Sequence, residues 1–128
     1  MNNVWKIILH ALIHAILVYL IIRGLRLDLI GAIFAIIGGF IVDVDHVPIL
    51  LKRGVRGYIY LRTVLERNRP RKYKLHNVAT ILLSLTLSLL ALSPLTFYVG
   101  VFFFSMLLHL IFDFFEDFLV YGVVENWV

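Results

Sequence analysis

The stretch LHNVATILLSLTLSLLALSPLTFYVGVFFFSMLLHLIF, Leu75 to Phe112, contains no Lys, Arg, Asp or Glu over 38 residues. As one straight helix it would be about 57 Å long at about 1.5 Å per residue, nearly twice a hydrocarbon core of about 30 Å. It must fold back. Pro94, in Ala91-Leu92-Ser93-Pro94, marks the place where a helix would break. Two apolar spans follow, at about 76–92 and 95–113.

The upstream sequence reads the same way. Two further apolar runs occupy about 4–22 and 27–47, joined by Arg23-Gly24-Leu25-Arg26. That linker does not resemble a small-x-small cleavage site, so the first run is read as a retained span. Gly31, Gly38 and Gly39 are small residues that permit close helix contact. The expected fold is all-α: an integral membrane antiparallel four-helix bundle in one domain. The chain is 62% hydrophobic, well above a typical soluble domain. It has no cysteine, which excludes disulfides and thiolate metal sites.

Charge is concentrated. Nine of the twelve basic residues fall between Lys52 and Lys74. A Lys/Arg-rich loop over 52–74, with a short helix around Tyr58–Arg67, is expected to stay cytoplasmic and to contact anionic headgroups or a phosphate ester. An even number of spans then puts both termini on that side of the cell membrane. Residues 114–128 read as an interfacial segment in which Glu116 and Asp117 reach water and Trp127 anchors at the headgroups.

The polar residues within the spans are few and patterned. His10 and His14 stand at i, i+4, so both imidazoles share one helix face. Asp43-Val44-Asp45-His46 follows the apolar run of span two. His76 opens span three, and His109 and Asp113 close span four at i, i+4. Ionisable groups at membrane depth cost a few kcal/mol each, so they usually have a partner or a purpose. In an up-down-up-down bundle these four ends meet at one membrane face. The expected ligands are His14, Asp45, His46, His76, His109 and Asp113, with Asp43 or His10 as a base or orienting partner. Imidazole and carboxylate suit a divalent metal, zinc first, with manganese and iron compatible. Eight candidates suit two ions, or one ion with acid/base partners.

In these motifs the chain resembles a family of LexA-binding, inner membrane-associated, metal-dependent hydrolases. The family pattern has an early His in the first span, Asp-x-Asp-His after the second, a His opening the third, and His-x-x-x-Asp followed by Gly. Here these correspond to His10 or His14, Asp43-Val44-Asp45-His46, His76-Asn77, and His109-Leu110-Ile111-Phe112-Asp113 with Gly122 downstream. Family members often carry Pro before the first Asp, where this chain has Val42. The resemblance implies a metal-dependent hydrolase. Placed at the headgroup level, its expected substrate is a lipid-linked phosphate ester. The alternative is a non-enzymatic membrane adaptor or metal-binding protein whose basic loop meets lipid, nucleic acid or a protein. Nucleic acid is the less favoured partner, and a bundle this small is compatible with a homodimer. A small ion carrier ranks last, because the ionisable residues cluster at one end of the spans.

Overall fold

The computed structural model describes residues 3–60, 74–121 and Trp127, and among these the chain is helical with no strands. Helix α1 spans Asn3–Gly24. A turn through Arg26, at φ 50°, leads to Asp28. The Asp28 carboxylate caps α2 (Leu29–Phe40) by accepting from the Gly31 amide at 2.8 Å, so one orphan donor of the first turn is satisfied. It also accepts from the Tyr98 hydroxyl at 2.5 Å, which ties the start of α2 to the start of the last helix. Asn77 caps α4 (Val78–Ser88) in the same manner, accepting from Thr80 N at 2.9 Å. A 3₁₀ turn at Leu89–Leu92 and the bend at Pro94 lead into α5 (Phe97–Glu116). The break expected at Pro94 is present.

Span two does not end in a loop. After Phe40 the helix tightens into a 3₁₀ turn, Ile41–His46, and continues as α3 (Val47–Tyr60). Pro48 fits this continuation because it sits in the first turn of α3, where no intrahelical N–H is required. Gly54, at φ 64°, kinks α3. The basic segment therefore begins as helix, where a loop is expected from residue 52. Residues 61–73, with most of that segment and the end of the expected Tyr58–Arg67 helix, lie outside the described residues, as does Gly122.

Helix α5 is central and touches α1, α2 and α4. Ala35 O accepts from Ser105 Oγ at 2.7 Å, and Gly39 O accepts from His109 Nδ1. Residue numbers rise together along this pair, so α2 and α5 run parallel. His10 meets Glu116 while His14 meets Asp113, so α1 runs against α5. Helix α4 does too, since His76 meets Asp113 at one end while Ala91 backs onto Gly100 at the other. The helices thus alternate in direction.

Glycine allows this approach. A Cβ on Gly38 would stand 2.1 Å from Phe102 O, and one on Gly100 would stand 1.9 Å from Ala91 N. Both obstacles are backbone, which cannot swing aside as a side chain would.

Beside its apolar core the fold buries several ionisable groups and exposes many large apolar side chains. The buried set includes His14, His76, Ser105, His109, Asp113 and Asp117. Meanwhile α1 exposes Leu9, Leu12, Ile16 and Leu20, and α4 exposes Leu82, Leu83 and Leu85. Among the described residues, two helical stretches are long and apolar enough to cross a membrane: Leu29–Lys52, of 24 residues, and Phe97–Leu119, of 23. The apolar helical stretches Ile8–Gly24 and Val78–Leu92 are shorter, at 10–17 residues.

The glycine contacts are directly testable. Gly38→Ala is expected to cost about 1–3 kcal/mol by overpacking. Gly24→Ala, whose Cβ would meet nothing within 4 Å, should leave stability unchanged. Thermal unfolding in detergent reads both, and equal midpoints would contradict the close α2–α5 contact.

Candidate metal centre

Asp113 is the hub. It lies one helical turn after His109 on α5 and is 1% exposed. Its oxygens divide the surrounding imidazoles. Oδ1 lies 3.0 Å from His14 Nε2 and 3.7 Å from His10 Nε2. Oδ2 lies 3.0 Å from His76 Nε2 and 3.1 Å from His109 Nε2. Helical spacing explains the first pair, since i, i+4 places His10 and His14 one turn apart on the same face of α1. Their rings stand 4.3 Å apart, and His14 stacks on His109 at 3.7 Å.

Asp43 and His46 share a face because the 3₁₀ turn has three residues per turn. Asp43 Oδ1 lies 4.0 Å from His46 Nε2 and 3.7 Å from His109 Nε2. Asp45 points to the other side of the turn. It accepts from the Leu75 amide at 2.5 Å and stands 3.8 Å from His76 Nδ1. Its carboxylate thus pins the chain entering α4.

His109 carries the most specific information. A carbonyl only accepts, so the bond to Gly39 O places a proton on Nδ1. In the neutral ring Nε2 is then a bare lone pair. It is buried and lies 3.1 Å from Asp113 Oδ2 and 3.7 Å from Asp43 Oδ1. Acceptors that confront each other in an apolar interior repel unless a cation lies between them. Either a proton or a metal ion meets that need.

The spacing fits a metal. Tetrahedral bonds of about 2.0–2.1 Å place ligand atoms about 3.3 Å apart, and the contacts to Asp113 run from 3.0 to 3.7 Å. Among the described residues, two groups offer ligand atoms all within 4.8 Å of one another: His10, His14, His109 and Asp113, and then Asp43, His76 and His109. They share His109, and the Asp113 carboxylate reaches toward both. Of the expected ligands, His14, His76, His109 and Asp113 are brought together. Asp45 and His46 belong to neither group. His10 and Asp43, read as base or orienting partner, stand among the ligand candidates.

Sequence reasoning missed three contributions. Glu116 does not simply reach water: its Oε2 is 2.7 Å from His10 Nδ1. Asp117 is buried, at 8% exposure, and accepts from the Trp127 indole N–H at 2.9 Å. Trp127 is not a headgroup anchor, because it is 1% exposed and packs edge-on against His76 at 5.8 Å. Its carbonyl also accepts from Val78 N at 3.0 Å. The visible signal was the i, i+7 spacing from His109 to Glu116, which puts both on one face of α5. Nothing in the sequence marked Trp127.

No protein-family model, curated protein or solved structure matches the chain. The resemblance read from the motifs stands on those residues alone.

Trp127→Phe keeps an aromatic ring beside His76 and removes one donor from Asp117. The expected cost is about 1–3 kcal/mol, read as a lower unfolding midpoint in detergent. An unchanged midpoint would show the bond to be dispensable.

Proposed function

We propose that this chain is a multi-pass membrane protein whose His/Asp cluster holds divalent metal, zinc foremost, and hydrolyses a phosphate ester at the cytoplasmic face. The observation that carries the reading is the buried His109 Nε2, which faces carboxylates from two different elements and adjoins further imidazoles at ligand spacing. The many exposed apolar side chains support a bilayer setting, since lipid is an apolar solvent for them. The shorter helices would be accommodated by tilt or local thinning. The basic run 52–74 supports the orientation.

His14, His109 and Asp113 would hold one ion, with Asp43 and His76 offering ligands for a second. A bound ion supplies Lewis acidity to a phosphoryl oxygen and lowers the pKa of water toward neutrality. His10 is assigned as the general base. Its Nδ1 donates to Glu116, so Nε2 is the basic nitrogen, and the carboxylate fixes the ring as an orienting partner does. Lys52 and the basic residues that follow would offset phosphate charge. A purely structural or adaptor site would be closed. A cleft of about 330 Å³, lined in part by His10 and His14, favours catalysis.

Two measurements test the reading. Zinc content of detergent-purified protein is expected to be stoichiometric and to be lost in His109→Ala and Asp113→Ala. Full zinc in a double variant would sink the site. With zinc at about a hundredfold its Kd, the folded state should gain about 2.7 kcal/mol, and chelation should abolish release of phosphate from ester substrates. Zinc-loaded protein with no such turnover would leave the metal-binding, non-enzymatic alternative.

A further inference from the structure

The cleft beside the cluster has a mixed lining. His10 lines it from α1, and Phe40, Asp43, His46, Val47 and Leu50 line it from one run between α2 and α3, with the apolar residues on either side of the polar pair. These three apolar residues are 38%, 43% and 40% exposed, whereas their neighbours Val42 and Ile49 are buried. The cleft is formed between α1 and the continuous run from the end of α2 into α3, and its exposed apolar residues belong to the outer surface of the helices. In a bilayer that surface meets hydrocarbon. Lys52, two residues beyond Leu50, is exposed and begins the basic run.

A free phosphate ester needs only the polar residues. Polar groups flanked by exposed apolar side chains suit an amphiphile, with its phosphate at the histidines and its hydrocarbon against the flanking Phe40, Val47 and Leu50. We propose that this cleft admits, from the side, the hydrocarbon chain of a bilayer lipid whose phosphate is presented to the His/Asp cluster. The proposal rests on reading that cluster as a phosphate-ester site. It names the substrate class as lipid-borne and the route as lateral. A second groove, of about 310 Å³, lies between Leu17, Leu20, Phe104 and Leu108 and has no polar end. It provides an internal control for indifferent lipid contact.

The test uses the full chain in nanodiscs of phosphatidylcholine doped with phosphatidic acid carrying a diazirine in one acyl chain. After irradiation, adducts are mapped by mass spectrometry, and zinc is measured on the same sample. Adducts at Phe40, Val47 and Leu50 are expected to exceed those at Leu20 and Phe104 several-fold. The same diazirine chain on phosphatidylcholine should show a smaller excess. Leu50→Trp and, independently, Val47→Trp should remove the excess while leaving zinc content unchanged. Equal labelling of cleft and groove, or an excess indifferent to both variants, overturns the proposal. Cleft labelling without zinc would overturn the metal reading and leave the lipid route standing. Zinc with even labelling would do the reverse.

Discussion

A carboxylate removed from water inside an apolar helix cluster is costly unless groups around it compensate, and Asp113 is at 1% exposure. Its compensation comes from α1, from the residue that opens α4, and from its own helix one turn back. That demand ties together segments that have little else in common. The turn after α2 adds Asp43, and the end of α5 adds Glu116 behind His10. The helices at this end are therefore held by polar contacts. At the other end close packing, as where Gly100 meets Ala91, is joined by the Tyr98–Asp28 hydrogen bond.

Such a division would suit the lipid setting proposed above, in which close backbone contact and interhelical hydrogen bonds carry helix association. Ser105 Oγ to Ala35 O illustrates it, as does the Tyr98 hydroxyl on Asp28 at the opposite end. The apolar clusters are correspondingly modest. One is Val18, Ile21, Ala35 and Val101; the other is Val42, Met106, Leu110 and Trp127.

The four apolar helices and their alternation were legible in the sequence, because 38 uncharged residues around Pro94 leave few other readings. The convergence of His14, His76, His109 and Asp113 was legible for the same reason: helical spacing and alternation decide which ends meet. What could not be read were choices made by the backbone. The 3₁₀ turn at Ile41–His46 separates Asp43 from Asp45, sending one toward His109 and the other to the Leu75 amide. An Asp-x-Asp motif gives no sign of that parting. Trp127 was misread because an aromatic near a chain terminus looks like an interfacial anchor, and only tertiary contact shows it beneath Asp117 and against His76.

Gly39 has no functional group, yet its carbonyl selects the tautomer of His109. That carbonyl comes near enough only because no side chain intervenes; a Cβ there would stand 2.4 Å from Val18 Cγ2 and 3.0 Å from Ser105 Oγ. The proton on the imidazole is thus governed by packing among four residues on three helices. Val18, Gly39, Ser105 and His109 form an epistatic unit, in which a substitution at one is tolerated only with compensation at another. Over evolutionary time such a set is expected to drift together or not at all, so selection on the chemistry of His109 would register as constraint on a glycine.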